Sequence, residues 1–430
     1  MKIVEFLKKK EIKNAGWIIG ERVVQMILSL VIGVLSARYL GPDNYGSLNY
    51  TSSFITFISS VATLGMEGVI IKKMIAQPEK EGQFLGGCII LRSISSVLCS
   101  VVVVGAVAIL DMGDSEKLIL ISLQSIQLIF QVLNIFDSWF QRYLKSKYIS
   151  IAKILASIVV MGYKLYLLVT AKSVIWFAFS NSLTAIVIAI ILLVFYKRSK
   201  GPALVWNIKS GIYVLKDSYH YIFSGLMVAL YGQMDKIMIG KMLSDTSVGL
   251  YTTGMAICGM WIFVPTAIIN SFRPTILSLK QSGQIDLYNR RLRQLYSFVI
   301  WLCIAVSAFI CICAPVIISL LYGDEYMGAV NTLRIAIWCE TFSMIGTARG
   351  IWILAEDKNK YVKYYLAIGV IVNLLLNFIM IPTLGIEGAA IATLITQVVT
   401  SLVAPIVFKS TRMHTKIVLE SIICSWYFKK

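Results

Sequence analysis

Long apolar runs, separated by short polar segments, repeat along the whole chain. Each run has about the 20 residues that a helix needs to cross the hydrocarbon core of a membrane. This pattern predicts an all-α polytopic membrane protein with twelve transmembrane helices, because helices satisfy their own backbone groups in lipid. We place the spans at residues 16–37, 47–70, 86–110, 118–140, 151–170, 174–196, 212–240, 247–272, 295–321, 329–354, 362–381 and 386–408.

The basic residues that flank these spans are divided unequally between the two sides of the membrane. With twelve spans, 29 of them fall on the side of the two termini, and only four fall on the other side: Arg38, Lys117, Lys172 and Lys241. Cytoplasmic loops carry the excess of Lys and Arg, so we expect both termini in the cytoplasm. One span more or fewer would break the alternation.

The polar segment 197–211, which contains Gly201 and Pro202, separates the sixth span from the seventh. It predicts an N-terminal six-helix lobe at 1–200 and a C-terminal six-helix lobe at 201–409. Arg38–Gly46 and Lys241–Gly249 share a pattern of basic helix end, polar turn and glycine. Two equal halves of six spans predict two bundles related by a pseudo-two-fold axis along the membrane normal. The pattern of residues 410–430 is typical of an amphipathic cytoplasmic tail at the membrane interface.

Composition agrees with this membrane interpretation. Hydrophobic residues make up 58% of the chain, charged residues 14%, and the mean hydropathy is +0.78. Soluble domains contain about 45–50% apolar and about 25% charged residues, so a soluble fold is excluded. The formal charge of +18 could indicate a nucleic-acid partner. The basic residues instead belong to loops on one membrane side, and we expect no nucleic acid.

The residue types needed for several kinds of chemistry are scarce. The eight cysteines are scattered, mostly within apolar runs, and none forms a Cys-x-x-Cys pair. His220 and His414 are the only histidines, which argues against a histidine metal site or a catalytic triad. The sequence also lacks a G-x-x-x-x-G-K-[ST] phosphate loop and a G-x-S-x-G motif. We therefore expect no catalytic residue, no metal and no cofactor.

Five segments, taken in order, carry a resemblance to a known family. They are Ala37–Gly46, Thr63–Lys72, Trp139–Gln141, Asp235–Gly240 and, the most specific, Asn373–Ala390. With them the chain resembles, over almost its whole length, polysaccharide flippases of the O-antigen and capsule repeat-unit transporter family. That family is part of the multidrug/oligosaccharidyl-lipid/polysaccharide exporter superfamily.

The resemblance implies a fold and a function. The fold is two six-helix bundles around a V-shaped cleft lined by helices 1, 2, 7 and 8. The function is movement of a polyprenyl-diphosphate-linked oligosaccharide from the cytoplasmic to the outer leaflet of a bacterial plasma (inner) membrane, by alternating access. Such a transporter would serve the synthesis of lipopolysaccharide O-antigen, capsule or exopolysaccharide. Its partners would be the lipid bilayer and the polymerase and glycosyltransferases of the same pathway.

Ionisable residues inside the spans are the candidate site residues, because each costs about 2.5–3.5 kcal/mol to insert. For the diphosphate and glycan we select Arg22, Lys236 and Arg273, since guanidinium and ammonium groups bind phosphate. For each, snorkelling or a structural pair is the competing interpretation. Three carboxylates would bind a coupling cation or hold these cations: Glu21, Glu67 and Asp235. Glu67 could pair with Lys72 or Arg22, and Asp235 with Lys236 or with span 8.

Two other functions stay open on the sequence. A cation-coupled multidrug exporter would share the superfamily fold, but its cavity for cationic drugs should be rich in carboxylates, whereas the spans expected to line the cleft carry more base than acid. A membrane polysaccharide polymerase or glycosyltransferase would share the hydropathy profile. Such enzymes usually show a large loop or an acidic catalytic motif, and the outer loops here are short.

Overall fold

A computed structural model describes the backbone of residues 2–422 and the side chains of residue 14 and residues 16–422. Every regular element in this part of the chain is helical. Two parts of the predicted termini, residues 423–430 and the side chains of residues 1–13, lie outside the described residues. The chain divides into two compact units, Met1–Gln233 and Met234–Lys430.

The first unit contains the helices up to the middle of α8. Their bounds are α1 (Lys2–Ala62), α2 (Glu67–Ala76), α3 (Glu81–Leu110), α4 (Ser115–Phe130), α5 (Ile135–Arg142), α6 (Ser146–Val169), α7 (Val174–Arg198) and α8 (Ile208–Met242). Short 3-10 segments, Pro78–Lys80 and Gln131–Asn134, precede α3 and join α4 to α5. A buried cluster forms the core of this unit and includes Phe84, Leu85, Phe136, Phe140 and Leu192.

The second unit continues from α8 to the tail. Its further helices are α9 (Asp245–Met260), α10 (Phe263–Gln281), α11 (Ile285–Tyr322), α12 (Val330–Ala355), α13 (Val362–Val398), α14 (Ala404–Val407) and α15 (Arg412–Ile422). The 3-10 segments Asp324–Ala329 and Asn359–Tyr361 precede α12 and α13, and a π-helical segment, Val399–Val403, follows α13. The core of this unit includes Leu292, Tyr296, Ile300, Ala348 and Trp352.

The boundary between the compact units, at residues 233 and 234, falls inside α8. The sequence instead places the boundary of the two six-helix lobes at residues 200 and 201. Contacts explain the difference, because the first half of α8 packs on the first unit through Lys73 and Gly65. The division into six-helix lobes remains a prediction.

Nine helical stretches among the described residues are long and apolar enough to cross a membrane. The chain is therefore a polytopic, all-helical membrane protein, as predicted. Two of the nine stretches, Gly16–Ala76 with 61 residues and Asn359–Val407 with 49, are more than twice the length of about 20 residues that one crossing needs. α12 is not one of the nine, since Arg334, Glu340 and Arg349 lower its hydropathy. The count of twelve spans stays a prediction.

Glycines interrupt the two longest stretches. Gly41 has φ 71° and ψ 170° within α1, and Gly385 has φ 61° and ψ −141° within α13. Positive φ is accessible to glycine at little cost, whereas a side chain at Cβ would be strained there. Pro42 follows the first break and Pro382 precedes the second. α1 and α13 are thus each two helical segments joined at a glycine.

The extended segment 201–207 lies directly against α3, where three glycines allow its backbone to approach. A Cβ added at Gly82, Gly86 or Gly87 would collide with the carbonyl oxygen of Ala203, Val205 or Asn207, respectively. The Val205 amide also donates to the Gly82 carbonyl at 3.0 Å. The link between α7 and α8 is therefore attached to the first unit by backbone contacts.

Gly86→Val is expected to lower the free energy of unfolding by about 1–3 kcal/mol, because the new side chain must displace the 201–207 backbone. Gly105→Val is the matched control: it lies in the same helix, and a Cβ added there would have no neighbour within 4 Å. Denaturant unfolding of both variants in detergent micelles measures the difference. Equal losses in the two variants would contradict the close approach.

One side of the helix α15 is buried by protein. Arg293 on α11 pairs with Glu420 at 2.8 Å, and the Nε2 atom of His414 lies 2.9 Å from the Tyr296 hydroxyl. His414 itself is fully buried. The other buried residues of this helix are Thr415, Ile417, Val418 and Ser421. Ile417 and Val418 of α15 are thus part of the core of the second unit.

Burial, together with the nearby Arg349 charge, lowers the pKa of His414 from 6.5 to about 3. The folded protein therefore keeps this ring neutral, whereas the unfolded chain binds a proton below about pH 6.5. Stability from His414 is present above that pH and is lost as the pH falls towards 3. From about pH 7.5 to about pH 5.5 the loss should be about 1.4 kcal/mol. Unfolding of His414→Gln should lack this slope; an unchanged slope would contradict the assignment.

Candidate functional site

The side chains of the two predicted arginines have no hydrogen-bond or ion-pair partner among the described residues. Arg22 on α1 and Arg273 on α10 are both exposed. Within the described residues, neither guanidinium makes a hydrogen bond or an ion pair with another side chain. An exposed, unpaired guanidinium keeps all five N–H donors for an anionic ligand, and its planar fork can bind two phosphate oxygens at once.

Glu21 is buried although it is the neighbour of Arg22. Its carboxylate accepts a hydrogen bond from the Ser150 hydroxyl at 3.3 Å and lies 3.8 Å from the Nζ atom of Lys153. Both partners are on α6. Successive helical residues point about 100° apart, so Glu21 faces α6 while Arg22 faces away. Glu21 therefore joins α1 to α6 in the first unit and is not paired with Arg22.

Glu67, at the first residue of α2, is exposed and lies 3.7 Å from the Nη2 atom of Arg92 on α3. The sequence suggested Lys72 or Arg22 as its partner, and that suggestion is wrong. Lys72 is five residues further along the same helix, which places it about 140° around the axis from Glu67. The packing of α2 on α3 instead brings the carboxylate to Arg92.

Arg92 is a charge within the apolar run 86–110 and was not among the site residues selected from the sequence. The side chain is 1% exposed, and its Nε, Nη1 and Nη2 atoms have no hydrogen-bond partner among the described residues. Asp137, Gln131 and Asn134 each also carry a buried side-chain atom that no described residue hydrogen-bonds. Arg92 thus contacts Glu67 from the interior of the first unit while the carboxylate faces outwards.

Asp235 on α8 is the centre of a polar network in the second unit. Its carboxylate is buried and accepts three hydrogen bonds from neutral side chains. The donors are the Tyr251 hydroxyl at 2.5 Å, the Asn377 amide at 2.6 Å and the Thr393 hydroxyl at 2.6 Å. Tyr251 is on α9, and the other two lie on either side of the Gly385 break in α13. One carboxylate therefore connects three helices.

The same network contains more oxygen atoms than the hydrogen bonds use. The Asn377 amide also donates to the Asn373 carbonyl oxygen at 3.1 Å, and the Asn373 amide donates to Thr393 at 3.3 Å. The carbonyl oxygen of Asn377 is buried and has no hydrogen-bond partner in the described part of the chain. Rotating the Asn377 side-chain amide by half a turn would direct its carbonyl oxygen at the Asp235 carboxylate. Only a cation or a proton between the Asn377 and Asp235 oxygens can stabilise that arrangement. Carboxylate, amide and hydroxyl oxygens are the ligands of hard cations.

Sequence analysis selected Asp235 by its charge; Asn377 bonds to it across two helices, and Asn373 bonds to Asn377 within α13. It missed Tyr251 and Thr393, since neutral polar residues in apolar runs carry no distinct signal. Asp235 does bond to span 8, through Tyr251 on α9, one of the two partnerships that the sequence left open.

Lys236 is half-buried, and no described residue makes a hydrogen bond or salt bridge to its ammonium group. Its neighbour Asp235 acts on it electrostatically, but the three hydrogen bonds to that carboxylate come from other residues. Lys236 therefore keeps its three N–H donors for a ligand. In the described part of the chain, no group of three or more His, Cys, Asp or Glu side chains is placed to hold a metal ion.

Residues 34–331 match a family model described as "Polysaccharide biosynthesis protein". The chain belongs to this family. The match covers well over half of the chain and confirms the resemblance inferred from the sequence. The family assignment covers the first unit from the end of the first apolar run and continues through the Asp235 region to the start of α12.

Two curated relatives of this polysaccharide biosynthesis protein are flippases by name. "Probable flippase AglR" of Haloferax volcanii is 27% identical over 177 residues, which are 40% of this chain and 37% of the relative. "Lipid II flippase MurJ" of Bacillus subtilis (strain 168) is 24% identical over 185 residues, which are 40% of this chain and 34% of the relative. The aligned region thus spans little more than a third of each relative.

Solved structures of two kinds of transporter share the fold of this chain. "Lipid II flippase MurJ, inward closed conformation" superposes with a TM-score of 0.71 and 17% identity, covering 97% of this chain and 92% of that one. An inward-facing multidrug resistance MATE family transporter of the MOP superfamily gives a TM-score of 0.71 at 15% identity, covering 92% and 96%. At such identities the likeness concerns the fold alone, and it is equal for the two transporter types.

Proposed function

We propose that the protein is a flippase that moves polyprenyl-diphosphate-linked oligosaccharide repeat units from the cytoplasmic to the outer leaflet by alternating access. The observation that carries this proposal is the family match, which joins polysaccharide biosynthesis to a fold shared with membrane transporters. Both curated relatives are named flippases, which supports transport of a lipid-linked substrate and not catalysis. The product would be used for surface polysaccharide such as O-antigen, capsule or exopolysaccharide.

The proposed topology has twelve crossings, two six-helix lobes at 1–200 and 201–409, and both termini in the cytoplasm of a bacterial plasma membrane. Dividing the stretches Gly16–Ala76 and Asn359–Val407 at Gly41 and Gly385 gives eleven crossings from the nine stretches. α12, with 26 residues, is long enough to be the twelfth. The unequal division of Lys and Arg between the two sides supports the orientation. Polymerase and glycosyltransferases of the same pathway are the proposed partners.

The diphosphate is the proposed ligand of Arg22, Lys236 and Arg273. All three side chains lack an ion-pair partner among the described residues, so each can replace hydration that the phosphates lose on leaving water. An inside-negative potential assists the export of an anion: two phosphate charges would gain about 4.6 kcal/mol per 100 mV.

Single substitutions of Arg22, Lys236 and Arg273 by alanine should each reduce transport about tenfold or more, because a charge-assisted hydrogen bond is worth about 1.5–3 kcal/mol. The measurements are surface polysaccharide and accumulated lipid-linked precursor, in cells that depend on this protein and at equal protein levels. Lys72→Ala is the matched control, an exposed cation on α2 without an ion pair among the described residues. Normal polysaccharide in all three variants would defeat the assignment.

The same proposal includes cation coupling through Asp235. Its carboxylate accepts hydrogen bonds from the Tyr251 and Thr393 hydroxyls and from the Asn377 amide, and its single negative charge suits a monovalent cation or a proton. Glu21 and Glu67 are less suited to this role, because each is already opposite a cation of the first unit, Lys153 and Arg92 respectively. We assign these two carboxylates to charge pairing.

A cation-coupled multidrug exporter is the second candidate function, favoured by a TM-score with the MATE transporter equal to that with MurJ. The two functions predict different phenotypes for a deletion strain. A flippase mutant should lose surface polysaccharide and accumulate lipid-linked precursor, and its drug sensitivity should return to normal when precursor synthesis is also blocked. A drug exporter mutant should keep its polysaccharide and become sensitive to cationic drugs.

A further inference from the structure

The inner half of α8 exposes a group of residues with one spacing. Lys216, Tyr219, His220 and Phe223 occur at positions i, i+3, i+4 and i+7, which share one face of a helix. All four are exposed, Tyr219 by 56% and Phe223 by 61%. The rings of Tyr219 and His220 lie together, with 3.7 Å between their centroids. We call these four residues the α8 aromatic face.

The same helix segment is fixed to α2 and to the turn before α2. The Nζ atom of Lys73 on α2 lies 2.5 Å from an Asp217 carboxylate oxygen and 3.9 Å from the centre of the Tyr213 ring. Gly65, with φ 59°, leaves room for the Tyr221 backbone. These contacts hold the orientation of the inner half of α8, so the α8 aromatic face is presented on a rigid support.

The position of the α8 aromatic face along the helix determines its depth in the membrane. α8 has 35 residues and is therefore about 52 Å long, against a hydrocarbon core of about 30 Å. With the end at Met242 on the outer side, the inner half of the helix extends through the cytoplasmic headgroup region. The sugars of a lipid-linked oligosaccharide occupy this level before transport, because the polyprenyl tail stays in the hydrocarbon and the diphosphate lies at its boundary.

We propose that the α8 aromatic face binds the sugar rings of the substrate, an inference that rests on the proposed flippase function. Tyr219 and Phe223 supply flat apolar surfaces on which the C–H faces of pyranose rings stack, and stacked aromatic contacts add specificity to apolar burial. Lys216 and His220 flank these rings and supply hydrogen-bonding groups for sugar hydroxyl or carboxylate oxygens. The competing role for exposed aromatic residues at this level is an interfacial belt that contacts lipid headgroups.

The test compares two lipids and two double variants of the full chain in nanodiscs. The lipids are undecaprenyl diphosphate and the lipid-linked oligosaccharide fraction extracted from cells that make the native polysaccharide. The test variant is Tyr219→Leu with Phe223→Leu, which removes the aromatic faces and keeps apolar bulk. The control variant is Tyr166→Leu with Phe309→Leu, since these residues are exposed by 58% and 65% on other helices.

The wild type and the control variant should bind the glycosylated lipid more tightly than undecaprenyl diphosphate. The test variant should bind the glycosylated lipid about tenfold more weakly and undecaprenyl diphosphate unchanged. Two results would contradict glycan stacking on α8 and leave the flippase proposal intact. In the first, the test variant keeps the wild-type preference for the glycosylated lipid. In the second, it binds both lipids more weakly than the wild type by the same factor, as expected for residues that contact lipid headgroups. If the wild type binds neither lipid, the flippase proposal falls and this inference with it.

Discussion

Asp235→Asn should abolish cation-dependent stabilisation of the protein and reduce transport by at least about tenfold. The substitution keeps the shape of the side chain but removes the only negative charge of a network formed with Tyr251, Asn377 and Thr393. Neutral oxygens alone offset little of the free energy that a cation loses when it leaves water. The folded variant should survive, because its new amide can still take part in hydrogen bonds with the same neighbours.

Thermal unfolding of the purified protein in sodium chloride and in choline chloride, at equal ionic strength, measures the cation directly. A ligand that binds only the folded state at 100 times its Kd adds about 2.7 kcal/mol, so the wild type should be more stable in sodium. Repeating the comparison at two pH values distinguishes sodium coupling from proton coupling. If a proton is the coupling ion, it should stabilise the wild type even in the absence of sodium. Asp235→Asn should respond to neither.

Glu67→Gln is the matched control for this experiment, because Glu67 is another candidate carboxylate within the apolar runs and is exposed beside Arg92. It should keep the wild-type response to sodium and pH. If Glu67→Gln removes the response and Asp235→Asn keeps it, the coupling site lies in the first unit and the assignment to Asp235 is wrong.

The apolar runs of the sequence predicted the helical membrane fold, because hydropathy reports directly on what lipid tolerates. Breaks within a run were harder to predict. The run 47–70 contains a non-helical turn after Ala62, where Leu64 and Gly65 have φ of 54° and 59°, and α2 starts only at Glu67. The run 118–140 contains the 3-10 segment Gln131–Asn134. Residue-averaged hydropathy is the same with or without such turns, so only the backbone reveals them.

Candidate site residues were recognisable one by one, since a charge in an apolar run is conspicuous. Their partners were not, because pairing depends on which helix faces are packed together. Glu67 meets Arg92 across two helices, and Asp235 bonds to Asn377 over a separation of 142 residues. The sequence alone does not give the distance in space between residues so far apart along the chain. Arg22 and Arg273 were selected on charge alone, and their exposure without partners among the described residues is what makes them candidate ligands.

Glu81→Ala should lower the free energy of unfolding by about 3–5 kcal/mol, the cost of breaking a buried ion pair by removing one partner. Glu81, at the start of α3, is 4% exposed and pairs with Arg142 on α5. Its carboxylate also accepts hydrogen bonds from the Trp139 indole at 3.1 Å and the Tyr143 hydroxyl at 2.9 Å. The substitution would leave a buried guanidinium and a buried indole N–H without their acceptor.

Glu79→Ala is the matched control, because Glu79 lies two residues earlier and is exposed without an ion pair among the described residues. Surface substitutions of this kind change stability by about 0.5 kcal/mol or less. Denaturant unfolding of both variants in micelles, followed by tryptophan fluorescence, measures the difference and also reports on the surroundings of Trp139. Similar small losses in the two variants would mean that Arg142 and Trp139 find other partners, and that Glu81 does not hold α3 to α5.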